Sequence, residues 1–308
     1  MRTPFDLGQV VVHVGATVGG ALRSDVSIAP TKLIEHADFA LFNAKRTQKG
    51  TCAIFTESDA NEMRRTFIVD QAMRSANLAE ELMVAYQPQF DLVAKRVSAF
   101  EALARWNSKE LGVVNPNEFI RVAEASGLIT QVTQILLRKA MVTLQEWPSD
   151  IALSFNLSAH DILDSAAVDE ILNIVAQTPD IDPSRICFEI TETAMMSNIE
   201  KAGLALQKLV DAGHAVAVDD FGTGYSNFIY LHKLPISKIK IDRSFVREFS
   251  KNKQSIKVLA TLLQLTRSLN KECIIEGVET EIELAALQSM GVRTVQGCLL
   301  YTSDAADE

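Results

Sequence analysis

Cysteine is scarce and scattered. The 308 residues hold four, Cys52, Cys187, Cys273 and Cys298, and no two form a CxxC pair. That spacing argues against a zinc ribbon or a disulfide frame and reads as reduced thiols in a cytoplasmic protein. The five histidines (His13, His36, His160, His214 and His232) form no HxH or HExxH pair, so each reads as structural. No run of about 18 apolar residues occurs, so no membrane segment is expected in this chain. The opening MRTPFDLGQ has no apolar signal region. No GxGxxG or Walker-type phosphate loop follows a strand pattern, which weakens a nucleotide-binding open sheet. Basic residues are also in deficit: 30 Lys+Arg stand against 39 Asp+Glu, a formal charge of -9. A nucleic-acid polymer is therefore excluded as a non-specific partner. A small phosphorylated ligand is not, provided metal ions supply the positive charge.

What is present is an ordinary globular composition, 47% hydrophobic and 22% charged, in a chain long enough for about two domains. Residues 9–22 read as strand, 32–46 as helix and 52–55 as strand, and the polar, Gly- and Pro-free stretch 57–82 as one linker helix. Strands then alternate with helices. Strands are expected near 83–91, 97–105, 151–157, 185–191, 214–219, 237–241, 271–276 and 292–296. Helices are expected at 116–125, 129–146, 165–176, 197–212, 251–269 and 280–289. The first two strands are joined too closely for a helical crossover and should form a hairpin. Eight strands in this alternation favour an α/β fold of TIM-like (β/α)8 barrel type, with an open doubly wound sheet as the competing topology.

Uncommon polar residues fall where these strands end: Glu101, Asn156, Glu189, Asp219, Asp220, Lys240, Glu276 and Gln296. In a barrel such ends converge on one face, the face that carries chemistry. Five carboxylates offset by one lysine would be costly to bury unless they took up protons or met cations. Carboxylates and an amide oxygen are the hard ligands that Mg²⁺ or Mn²⁺ prefers, and a two-ion site suits in-line displacement at phosphorus. Asp219 and Asp220 are adjacent and would ordinarily face opposite sides of a strand; at a strand end both can reach the ions if the backbone turns. The glycine-containing loop DFGTGYSN (220–227) reads as a mobile active-site loop or a plain strand-to-helix turn.

The segments YQPQFDL, FEALARW, NPNEFIRVAEASGLI, SFNLSA, FEITET, VDDFGTGYSN, LPISKIKIDRSFV, EGVET and VQG occur in the order and spacing of the EAL domain. The resemblance covers about residues 83–297. It implies a barrel with an antiparallel first strand that hydrolyses cyclic di-GMP to linear pGpG with two Mg²⁺ or Mn²⁺ ions. By motif, it implies Glu101, Asn156, Glu189, Asp219, Asp220 and Glu276 as metal ligands. Lys240, with Glu101 and Glu276, would be catalytic, the lysine orienting or deprotonating the attacking water. Gln87, Arg105 and Gln296 would face the substrate or its water, and Glu192 would anchor the DFGTG loop. Homodimerisation through the barrel is a further implication. Ile275 departs from the family, which has a small residue before EGVET, and a modest packing effect is expected.

Residues 1–56 resemble the last third of a GGDEF (diguanylate cyclase) domain without its signature, so no cyclase activity is expected there. Residues 57–82 would be the GGDEF–EAL linker. The parent protein could carry membrane anchors that this chain lacks. After VQG the text CLLYTSDAADE does not fit the family. It resembles a translated sequencing adaptor, so residues 298–308 are expected to be non-native and the EAL domain, 83–297, to lack its last helix. The competing functional class is a non-catalytic cyclic di-GMP receptor or interaction module. The complete motif set favours the enzyme.

Overall fold

Short β-branched and apolar runs separated by amphipathic helices close into a barrel in the computed structural model. It describes residues 4–8, 10–22, 29–222, 232–247 and 253–297. The chain divides into two units, Met1–Ser75 and Ala76–Glu308. In the second unit the barrel strands are β1 Leu82–Asp91, β2 Arg96–Ser108, β3 Ala152–Leu157, β4 Ile186–Thr191, β5 Ala215–Phe221, β6 Lys238–Ile241, β7 Glu272–Ile275 and β8 Thr294–Gln296. From β2 to β8 each strand pairs in parallel with the next. β1 runs antiparallel to both β2 and β8 and closes the ring of eight. The expected barrel, with its reversed first strand, is thus the observed one. Closure leaves the ring without a free edge. Among the described residues a short outer strand, Gly112–Val114, pairs with the far end of β2.

The long helices follow the apolar periodicity closely. Helix Pro116–Ser126 starts at Asn115, whose side chain accepts from the Asn117 N–H, and stops at left-handed Gly127. This is the polar start and glycine stop that helix ends favour. Helices Ile129–Glu146, Ser165–Ala176, Ile199–Asp211, Lys253–Ser268 and Glu281–Ser289 complete the set. Trp106, Phe119, Leu137 and Phe188 are fully buried between strands and helices. Ile275 is fully buried too, paired in register with Ile241 and Val295, so the departure from a small residue is absorbed in the core.

Three short helices, Ala159–Leu163, Glu192–Ser197 and Arg243–Arg247, have no counterpart in the expected pattern. They are too short to show a period. Each begins just beyond a site-bearing strand, at a capping side chain. Ser158 accepts from the Asp161 N–H, Thr191 from Ala194 and Asp242 from Ser244.

The first unit holds an antiparallel pair, Phe5–Asp6 with Val11–Val12, and a parallel pair, Val18–Gly20 with Cys52–Ile54. It also holds helices Pro30–Thr47 and Glu57–Ser75. The strand expected across 9–22 is therefore broken into two short pieces. The single linker helix expected at 57–82 is corrected as well: helix Glu57–Ser75 ends and a separate turn, Leu78–Glu81, follows. The break is local chemistry. The Asn77 carbonyl accepts the N–H groups of Glu80 and Glu81, and its side chain bonds the Glu80 carboxylate at 2.8 Å. Asparagine thus opens a new turn instead of continuing the old helix. The expectations for residues 298–308 and for most of the DFGTGYSN loop lie outside the described residues.

Gly277, directly after the last carboxylate strand, has φ +68 and stands where a methyl group would overlap Arg243 Cβ. Gly112 has φ +71 and open space around it. Left-handed backbone alone costs a non-glycine residue about 1–2 kcal/mol. Gly112→Ala is therefore expected to lose about 1 kcal/mol of stability in denaturant titration. Gly277→Ala is expected to lose at least about 2 kcal/mol, because it adds overlap to the same strain.

Candidate active site

All eight strands deliver a polar side chain to one region: Gln87 from β1, Glu101 from β2, Asn156 from β3, Glu189 from β4, Asp219 and Asp220 from β5, Lys240 from β6, Glu276 just past β7 and Gln296 from β8. Glu101 lies mid-strand, because β2 runs on to meet Gly112–Val114. Register still brings it level with the others, with Gln87 and Ser154 as its Cα partners.

Lys240 is the centre. Its side chain is 0% exposed, and Nζ lies 2.6 Å from Glu189, 2.8 Å from Glu276, 3.0 Å from Glu101 and 3.2 Å from Asp219. Burial would push the ammonium down, but these carboxylates outweigh it and hold Lys240 well above its ordinary value. One cation does not balance four carboxylates. Burial drives Glu189 up to about 8 against the pull of Lys240, and drives Glu276 up to about 7. Asp220 is also raised, first by burial and then by Asp219 and Asp242. Glu101 goes the other way: burial raises it, but Lys240 and hydrogen bonds from Gln296 and Asn156 hold it below the usual range.

Neutral amides complete the ring. Asn156 Nδ2 donates to Glu101 Oε1 at 2.6 Å, and Gln296 Nε2 donates to Glu101 Oε2 at 2.6 Å and to Gln87 Oε1 at 3.0 Å. The neighbouring aspartates reach the same site because β5 carries a bulge. Its register with β6 steps from Val218↔Ile239 to Phe221↔Ile241, and Asp220 adopts φ +53. The extra residue breaks the alternation that would have turned one carboxylate away. Beyond the bulge, Glu192 Oε2 accepts the Gly222 N–H at 3.1 Å, so the expected loop anchor is in contact with the base of the loop.

The donor set fits divalent cations. Glu101, Glu189 and Asp219 form one group of carboxylates, and Asp219, Asp220 and Glu276 a second, each with oxygens within 4.8 Å of one another. Asp219 belongs to both, as a shared ligand between two ions would. The buried Gln296 Oε1 has no hydrogen-bond partner among the described residues, so its acceptor capacity is not used by any of them. A cleft of about 640 Å³ opens beside the ring, lined by Arg105, Asn117, Glu124, Asn156, Asp219 and Asp220. Arg105 lies there but donates to the Ala104 carbonyl at 2.8 Å. Two contributors were not anticipated, buried Gln89, whose amide lies within reach of Glu189, and buried Ser154, which that amide also meets. A signal existed: Gln89 follows Gln87 by two residues and so shares its face.

The model of the EAL domain matches residues 70–302. The chain belongs to the EAL domain family. This EAL chain is 32% identical over 302 residues to cyclic di-GMP phosphodiesterase PdeR of Escherichia coli, covering 97% of this chain and 45% of that protein. It is 30% identical over 302 residues to the bifunctional diguanylate cyclase/cyclic di-GMP phosphodiesterase MucR of Pseudomonas aeruginosa, covering 96% of this chain and 44% of that protein. It thus spans less than half of either relative. Among solved structures, the PaMucR phosphodiesterase in complex with c-di-GMP superposes with a TM-score of 0.70 at 32% identity, over 76% of this chain and 96% of that one. No helix among the described residues of the EAL chain is long and apolar enough to cross a membrane.

Cation binding must displace the protons that Glu276 and Glu189 hold near neutrality. A raised carboxyl pKa means protons are bound below about 7 and 8 and lost above, so affinity rises with pH through that window. Mn²⁺ titration calorimetry is expected to show proton release at pH 6.5 and tighter binding at pH 8.5, by up to about tenfold per pH unit for each proton displaced.

Proposed function

We propose that the barrel hydrolyses cyclic di-GMP to linear pGpG with two divalent cations, Mg²⁺ or Mn²⁺. The observation that carries this reading is the pair of carboxylate groups sharing Asp219 around Lys240. Glu101, Asn156, Glu189 and Asp219 would hold one ion, and Asp219, Asp220 and Glu276 the other. When bound, such ions supply the charge that activates a water and stabilises a phosphoryl group. The protein's own groups do the rest. Lys240 is surrounded by acceptors, and a charged ammonium has three N–H donors and no lone pair. It is therefore assigned to orienting the nucleophilic water rather than to taking its proton. Gln296 presents its free carbonyl oxygen to the same water, Gln87 holds Gln296 in place, and Arg105 turns from the Ala104 carbonyl to pair with a phosphate. Glu192 holds the start of the loop that follows Asp220.

The likeness to PdeR and to the c-di-GMP complex of PaMucR supports this choice of substrate. Homodimerisation through the barrel and a cytoplasmic setting belong to the same reading. Residues 1–56 are read as the C-terminal part of a GGDEF domain and 57–82 as the linker, with no cyclase activity, because no signature motif lies there.

The test is pGpG release by the purified chain with Mg²⁺, read by chromatography. Glu101→Ala is expected to lower turnover by more than about a hundredfold, since losing a ligand costs more than the 10–100-fold typical of outer positions. Tight binding of cyclic di-GMP without turnover by the unaltered chain would instead mark a receptor. Lys240→Met is expected to abolish turnover and to cost about 3–5 kcal/mol of stability without metal, because it strands buried carboxylates.

A further inference from the structure

Resting on the reading that divalent cations bind the carboxylate ring, we propose that Gln89 is a positioning residue that sets the carboxylate plane of Glu189 for the cation. Gln87 and Gln89 are two residues apart on β1 and point into the barrel on the same side. Gln89 is 2% exposed, and it faces Ser154, also 2% exposed, and Glu189, at 0%. Gln89 Nε2 lies 3.3 Å from Ser154 Oγ and 3.5 Å from Glu189 Oε1. The other oxygen of Glu189, Oε2, meets Lys240 Nζ at 2.6 Å. The two carboxylate oxygens therefore face different donors from different strands, and a carboxylate addressed at both oxygens has a defined plane.

The approach at 3.5 Å is at the outer limit of a hydrogen bond. It acts as a stop that orients the group without competing strongly for its lone pairs. The backbone of Gln89 is well placed for this. It lies where β1 meets both neighbours, opposite Ala99 on β2 and Gln296 on β8, and its carbonyl accepts from Ser98 Oγ at 3.2 Å. Ser154 receives one amide N–H and so limits rotation of the glutamine head. The arrangement is a chain of neutral donors behind a ligand, as outer groups commonly provide behind metal-binding side chains. Gln89 does not reach the cleft, so its effect on the reaction runs through Glu189.

The test is Mn²⁺ titration of the full chain by electron paramagnetic resonance at pH 8. The unaltered protein is compared with Gln89→Met, which keeps the volume without a donor, and Gln89→Leu, which also removes the donor and adds no charge. Both are expected to raise the Mn²⁺ dissociation constant by about tenfold or more, with metal-free melting temperatures within a few degrees of the parent. Ser154→Ala should move the constant in the same direction and serves if both glutamine variants fail to fold. A constant within twofold of the parent in a folded variant overturns the proposal, as does a loss of melting temperature with no change in Mn²⁺ affinity. An unaltered chain that binds no Mn²⁺ overturns the metal reading itself and this proposal with it.

Discussion

A single ammonium, Lys240, sits fully buried among four carboxylates at 2.6–3.2 Å. The rest of the barrel is arranged around that fact. Buried charge is tolerated only with close partners, and like charges that crowd one cation must share it, take up protons or bind further cations. The protein uses the first two in the state described: Glu101 is held ionised, while Glu189 and Glu276 are pushed up to about 8 and about 7. Counted formally, with every carboxylate ionised, the five carboxylates and one lysine account for -4 of the chain's formal -9. The acidity of the chain is thus concentrated where cations would enter.

Neutral amides make this density workable. Asn156 and Gln296 donate to opposite oxygens of Glu101, Gln87 supports Gln296, and Gln89 stands behind Glu189. An amide adds a donor without adding charge, so carboxylates can be oriented while their attraction for cations is kept. The layout also follows the barrel's geometry. Most of these residues come from strands whose ends converge, and β1, though reversed, contributes through register with β2 and β8.

The likeness to PdeR and to MucR agrees with this physical picture at the level of the family, over nearly the whole of this chain and less than half of theirs. The chemistry of the site rests on the side chains themselves, since one barrel fold can carry many reactions.

Much of this was legible in the residues alone. Strand and helix periodicities place eight strands and six long helices within a few residues of their observed bounds, because burial on one side imposes its period on the sequence. The clustering of Glu101, Asn156, Glu189, Asp219, Lys240, Glu276 and Gln296 at or near strand ends followed from the same pattern. The break at Asn77 and the three short capped helices were not legible, since their causes are single side-chain contacts with no period. The sequence by itself determined which groups the barrel holds and on which strands. Only the tertiary structure decided which of them meet: the bulge that turns Asp219 and Asp220 to one side, the central place of Lys240, and the reach of Gln89 to Glu189 100 residues away. Each of these depends on register between strands distant in sequence, and register is set by closure of the whole ring.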